Sequence, residues 1–242
     1  MENTIEIKGL KKSFGEKEVL KNVNLVVKKG ENVVVIGKSG QGKSVTIKCI
    51  VGMITPDKGS VQVLGKEIPE LDNEALKEIR TKIGFLFQGA ALYDSMTVRE
   101  NIAFPLIRVL NIKDENEIEQ RTKEVLESVG LADAIDKMPG DLSGGMLKRV
   151  GLARTLVVKP EIILYDEPTT GLDTITSREI SRLINEVQRK NNTSSILITH
   201  DMACAKITAD RIIVMNDGQY IAEGTYEELE NSGDNFIKSF FQ

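Results

Sequence analysis

Gly37-Lys38-Ser39-Gly40-Gln41-Gly42-Lys43-Ser44 carries glycine, glycine, lysine and serine at every fixed place of the pattern G-x-x-x-x-G-K-[ST]. The chemistry open to such a loop is phosphate binding. Small residues let successive backbone N–H groups curl around the β-phosphate of a nucleotide, and a following helix adds its partial positive charge. Lys43 can then reach the β- and γ-phosphates, and the Ser44 hydroxyl can ligate Mg2+. The bland alternative is a chance glycine-serine turn. It does not explain why an apolar run precedes the loop and a helical pattern follows it. Further along, apolar residues 162–165 run into Asp166 and Glu167. Buried carboxylates without a positive partner are costly, so a run that ends in two acids implies a cation there. Bound Mg2+ suits that role, with Asp166 holding it and Glu167 facing the water that attacks the γ-phosphate, as general base or water-orienter. Exposed acids at a strand end are the alternative. His200, the one histidine of the chain, follows apolar residues 195–199. It can donate a hydrogen bond to charge developing on a phosphate, although a lone histidine in a turn commonly does no chemistry. Gln88 follows 83–87, and its amide oxygen can complete a metal shell.

These groups must be carried to one place by the elements around them. Residues 33–36 (Val-Val-Val-Ile) form a short unbroken apolar run, the pattern of a strand buried on both faces, and 83–87, 161–165, 195–199 and 211–215 read the same way. Helical periodicity covers 43–52, 71–80, 145–158, 174–190 and 202–209, and the pattern from 97 to 129 is helical as a whole. Strands alternating with helices imply a mostly parallel sheet, whose strands deliver their C-terminal ends to one edge. Residues 4–10, 19–27 and 60–64 alternate apolar with polar and imply a small antiparallel piece beside it. After 215, a strand at 219–223 and two short helical pieces close the chain.

Bulk composition narrows the function classes. The 242 residues suit one domain, with 40% hydrophobic and 28% charged residues, as in ordinary globular proteins. A net charge of −4 argues against a nucleic-acid partner. Two distant cysteines, Cys49 and Cys204, give neither a disulfide framework nor zinc spacing and suit a reducing compartment. No apolar run approaches the ~20 residues that span a bilayer, and the N-terminal residues lack a signal-peptide pattern. A soluble chain is expected, without direct membrane insertion.

Taken together, these segments resemble the nucleotide-binding domain of ABC transporters over nearly the whole chain, 1–242. Gly37 to Ser44 match Walker A, Gln88 the Q-loop, Asp166 and Glu167 Walker B with its catalytic glutamate, and His200 the switch histidine. Leu142-Ser143-Gly144-Gly145-Met146 matches the signature, Gly171-Leu172-Asp173 the D-loop, and Phe14 the aromatic that stacks on adenine. The resemblance implies an α/β fold of the P-loop NTPase, RecA-like kind: a mostly parallel sheet core, a small antiparallel β lobe and an inserted helical lobe at about 90–155. It implies an active ATPase with ATP and Mg2+, in which Glu167, His200 and Lys43 are catalytic. Phe14, residues 37–44 and Val45 hold ATP, and Ser44, Gln88 and Asp166 hold the metal. It also explains the signature. Ser143, Gly144 and Gly145 at a helix N-terminus make a second anion site that closes over the ATP of an opposing subunit, with Asp173 nearby, so a homodimer sandwiches two nucleotides. The plain alternative is that Ser143 merely caps a helix.

Met146 at the signature's end, Val45 after Walker A and the segment 88–106 are similar to the Mla-type ATPases paired with MCE proteins. That resemblance implies a phospholipid or other lipid as cargo, a separate integral membrane permease as partner and an MCE-domain protein beside it. The subunit then sits in the cytoplasm against the inner face of the plasma membrane, held there by the permease. Tyr93, Met96 and Val98 are expected to line a groove for a permease helix. The competing readings are the ATPase of an importer for an amino acid, ion or other small solute, and a soluble ABC ATPase of DNA repair or translation. The last would bring long coiled coils or two cassettes in one chain, and neither is present. A non-catalytic nucleotide-binding regulator is disfavoured because Glu167 and His200 are both in place.

Overall fold

The structure is a computed structural model describing residues 2–241. Alternating apolar and charged residues make Asn3–Phe14 (β1) and Lys17–Lys28 (β2) an antiparallel hairpin. The buried run Asn32–Ile36 (β3) leads through the glycine-rich loop into helix α1 (Lys43–Ile50). Then come β4 (Lys58–Val63), β5 (Lys66–Glu67), α2 (Asn73–Thr81) and β6 (Ile83–Leu86). Three helices follow: α3 (Val98–Arg108), α4 (Glu115–Ser128) and α5 (Gly144–Leu156). The remainder alternates β7 (Ile162–Asp166), α6 (Thr174–Asn191), β8 (Ser194–Thr199), α7 (Met202–Thr208) and β9 (Arg211–Asn216). It ends in β10 (Gln219–Gly224), α8 (Tyr226–Glu230) and α9 (Asn235–Lys238).

The strands form two sheets. One is antiparallel, in the order β2-β1-β4-β5; the other has the order β10-β9-β3-β8-β7-β6 and is parallel except for β10. Side chains alternate across the larger sheet with period two. Val34 and Ile36 of β3 enter a core shared with α3–α7, whereas Val33 and Val35 enter a second core with β1, β2, β4 and α1. Both faces are covered, which is why β3 reads as one apolar run.

The helical pattern from 97 to 129 is divided. Thr97 opens α3 with a capping box: Glu100 N–H donates to Thr97 Oγ1 at 3.2 Å, and Thr97 N–H donates to Glu100 Oε2 at 2.7 Å. Pro105 lies inside α3, Asn111 adopts φ 53, and Asp114 caps α4 by accepting from Asn116 N–H at 2.9 Å. Arg99 ties the two helices through Glu119 and reaches Asp136 at 2.9 Å. Among the described residues, no helix is long and apolar enough to cross a membrane.

Candidate functional site

Contact with two neighbouring strands decides the glycines of the phosphate loop. A Cβ on Gly37 would lie 2.4 Å from the Met215 carbonyl oxygen at the end of β9. One on Gly42, which has φ 104, would meet Leu20 Cδ2 at 2.8 Å and the Val19 carbonyl oxygen at 2.9 Å. Only glycine lets the loop lie this close to the backbone and still enter α1. Lys43 is 6% exposed, and its ammonium is folded back on the loop, donating to the carbonyls of Gly37 at 2.6 Å and Lys38 at 3.0 Å. Burial pushes its pKa below the usual lysine range, opposed by Glu167 and Asp166. The Ser44 hydroxyl donates to Asp166 Oδ1 at 2.9 Å, so two oxygen donors from distant parts of the chain already meet.

Parallel register brings the other groups to the same edge. Asp166 is level with Ile198, and Ile36 with Thr199, so β3, β7 and β8 end together beside the loop. Beyond β7, Glu167 adopts φ 52, a left-handed conformation that costs a bulky residue about 1–3 kcal/mol. Its N–H donates to the Ile198 carbonyl at 2.9 Å, which fixes the turn. Its Oε2 accepts from Thr170 Oγ1 at 3.1 Å and lies 2.8 Å from His200 Nδ1. The Glu167 side chain is 15% exposed and that of His200 is 65% exposed. Together, residues 38–45, Val19, Gln88, Asp166, Glu167 and His200 line one cavity of about 550 Å³. Phe14 is not in that lining. It stands at the end of β1 with 49% of its surface exposed and Lys12 Nζ 5.6 Å from its ring centre.

Ser143, Gly144 and Gly145 lie elsewhere and contribute nothing to the cavity lining. Ser143 caps α5, accepting from Met146 N–H at 3.3 Å, and both Ser143 and Gly144 face solvent. A Cβ on Gly145 would lie 2.5 Å from Thr176 Cγ2, so glycine here sets the approach of α5 to α6. Asp173 caps α6: it accepts from the N–H groups of Ile175 and Thr176 at 3.0 Å and from Thr176 Oγ1 at 2.6 Å. The Thr176 hydrogen bonds hold its carboxyl below the usual range. The capping function of Ser143 is thus present in the single chain, while its exposed helix end is free to face another molecule.

Three residues near this site were not evident from sequence. Val19 closes one side of the cavity. Lys148, 6% exposed, donates to the Gln88 carbonyl, and burial lowers its pKa against the opposing pull of Glu167. Arg154 donates to the carbonyls of Ala91 at 2.8 Å and Ala90 at 3.1 Å. The available signal was that both basic residues interrupt a helix otherwise buried on most sides.

Beyond Gln88 lies an aromatic groove of about 340 Å³ that includes Phe85, Phe87, Tyr93, Phe104 and Pro105. Phe85 and Phe87 stack with ring centres 4.2 Å apart, and those of Tyr93 and Phe104 are 4.9 Å apart. Tyr93 lines the groove as expected. Val98 does not: it is fully buried, because the cap at Thr97 turns the first helical residue into the core. Met96 is also outside the lining.

Comparison with known proteins agrees with this arrangement. The sequence family described as ABC transporter matches residues 20–170. The "Probable ribonucleotide transport ATP-binding protein mkl" of Mycobacterium leprae is 40% identical over 236 residues, covering 98% of this chain and 68% of its own length. The mkl protein of Mycobacterium bovis is 39% identical, and the match spans 66% of it. The chloroplastic protein trigalactosyldiacylglycerol 3 of Arabidopsis thaliana is 38% identical over 253 residues, 98% of this chain and 72% of that one. The methionine import ATP-binding protein MetN of Brucella abortus is 40% identical over 220 residues, 91% of this chain and 59% of that one. Among solved structures, the dimeric ATP-binding cassette MJ0796 bound to ADP and Pi superposes with TM-score 0.83 at 34% identity, covering 92% of this chain and 98% of that one. CbiO1 of Clostridium perfringens, part of the ABC transporter complex cbiONQ, superposes with TM-score 0.88 at 27% identity, covering 100% and 96%. Motif order, parallel-sheet geometry and these matches lead to one conclusion: the chain belongs to the ABC transporter family, as one of its ATP-hydrolysing cassettes.

Proposed function

We propose that residues 1–242 act as one nucleotide-binding domain that hydrolyses ATP in the 38–45 cavity, as a head-to-tail homodimer beneath a membrane permease. The observation that carries this is the 2.8 Å contact between Glu167 Oε2 and His200 Nδ1 inside the cavity lined by the phosphate loop. Lys43 leaves the carbonyls of Gly37 and Lys38 to take the β- and γ-phosphates, a short movement because its ammonium already lies within the loop. Glu167 orients the attacking water and draws off its proton, and the turn at φ 52 aims it. With both ring nitrogens protonated, His200 donates from Nδ1 to Glu167 and from Nε2 to the γ-phosphate. Phe14 stands exposed for stacking on adenine.

Mg2+ takes hard oxygen ligands, and the Ser44 hydroxyl and Asp166 carboxylate, 2.9 Å apart, fit that preference, with the Gln88 amide in the same lining. When bound, the ion neutralises charge on the β- and γ-phosphate oxygens. Ser143, Gly144 and Gly145 serve the nucleotide of the second subunit, with Asp173 beside them. The aromatic groove seats a permease helix, which holds the subunit at the cytoplasmic face of the plasma membrane.

Glu167→Gln is expected to lower kcat at least ~100-fold while ATP still binds. Hydrolysis at the wild-type rate by that variant removes Glu167 from its role.

A lipid, with an MCE-domain protein as third partner, is the cargo this reading favours. Its support is the similarity of Met146, Val45 and residues 88–106 to Mla-type ATPases, together with a plant relative named for a galactolipid. The methionine importer relative supports a small-solute importer as the second reading. Affinity purification of the intact complex separates them. An MCE protein and bound phospholipid are expected; a solute-binding protein in their place overturns the lipid assignment.

A further inference from the structure

The segment after β6 connects two sites, since Gln88 lines the phosphate cavity and Ala91 and Tyr93 line the aromatic groove. This segment does not hold itself in shape. Ala90 and Ala91 adopt φ 58 and 50, left-handed conformations without glycine's freedom, and the turn closes with Ala90 N–H donating to the Phe87 carbonyl at 2.9 Å. Three of its carbonyls turn toward α5, while Tyr93 at its far end is held by Asn101 of α3 through both its N–H and its carbonyl. Gln88 accepts from Lys148, and Ala90 and Ala91 accept from the two arms of one guanidinium, Arg154. Neither cation is within salt-bridge distance of a carboxylate among the described residues. Their charge is spent on backbone carbonyls, as hydrogen bonds stronger than neutral ones. The same helix begins at Ser143 and Gly144.

We infer that Lys148 and Arg154 are positioning residues that clamp the 88–91 turn to α5 and so fix the placement of Gln88 for the reaction. Neither residue lines the phosphate cavity, so each acts on it through the segment it holds, although Arg154 also lines the aromatic groove directly. The inference rests on the ATPase reading above. It predicts a particular kinetic signature, because a group that places Gln88 for the reacting complex affects turnover more than ground-state nucleotide binding.

Steady-state kinetics of the purified chain with Mg-ATP test it. Lys148→Met keeps the volume and removes the charge; kcat is expected to fall roughly tenfold with KM within about twofold. Lys148→Arg restores the donor and is expected to recover kcat to within about threefold. Arg154→Lys keeps the charge but cannot span two carbonyls, and a kcat loss of roughly fivefold at unchanged KM is expected. This variant also carries the test if Lys148→Met does not fold. Wild-type kinetics in Lys148→Met or Arg154→Lys, or equal losses in Lys148→Met and Lys148→Arg, overturn the clamp. If wild-type chain hydrolyses ATP and Glu167→Gln does not, such a result removes the clamp alone. If the wild type fails to hydrolyse ATP, the underlying reading falls with it.

Discussion

Cys49 and Cys204 illustrate how burial can dominate the behaviour of a side chain. Both are free and buried, and desolvation pushes each thiol from the ordinary value of 9.0 up to about 11. The thiolate is the reactive form, so neither should react with a thiol reagent at pH 8 until the protein unfolds. The stability consequence has a definite sign. Between pH 9 and about 11 the unfolded chain releases these protons while the folded chain keeps them, so stability falls as pH rises through that window. Urea unfolding at pH 8 and pH 10 should show the drop, and Cys204→Ala should reduce it; an unchanged pH dependence would mean that the Cys204 thiol is not held neutral. Glu167 shows the opposite economy. Its turn is strained, yet two backbone and hydroxyl partners hold it where the carboxylate meets His200. From sequence the acid was legible, because an apolar run ended in it. The left-handed turn that aims it was not, because glutamate carries no preference for that conformation.

Helix α5 collects several such constraints into one element. Its first turn approaches α6 so closely that Gly145 has room for a hydrogen only, with Thr176 Cγ2 2.5 Å from where a Cβ would sit. Gly145→Val should therefore move α5 as a body, and the loss should appear in both hydrolysis and thermal stability. Ser143→Arg acts differently. Ser143 is exposed and outside the cavity of its own chain, so monomer ATP affinity should stay near wild type while hydrolysis is lost. Equilibrium nucleotide binding and turnover measured on the same preparation check it; retained turnover would remove the composite site. Elements were legible where one rule governed them. The β3 run Val33 to Ile36 announced a strand covered on both faces. The break at 109–114 was hidden, since apolar spacing continues across it and the turn depends on Asn111 adopting φ 53. Lys148 and Arg154 were hidden for a related reason. On a helix, a basic side chain usually reaches solvent; Lys148 is buried and Arg154 half-buried, and the carbonyls that hold them belong to a loop far away in sequence.

Across the whole molecule, the sheet order sets the assembly problem. β3, which launches the phosphate loop, has β8 on one side and β9 on the other, and neither hairpin nor helix near it in sequence can replace them. A chain ending at residue 192 keeps the entire loop but lacks both neighbours. It should neither bind ATP nor remain soluble, and a soluble, ATP-binding fragment would contradict the dependence. The pairing of Asn32 with Ser195 has a further consequence during translation. At ribosomal speeds of ~5–20 residues per second, β3 waits roughly 8–30 s for its first neighbour to be synthesised. Throughout that interval a strand with two apolar faces and two open edges hangs from the ribosome. The newborn chain should therefore depend on chaperone shelter far more than the finished protein does.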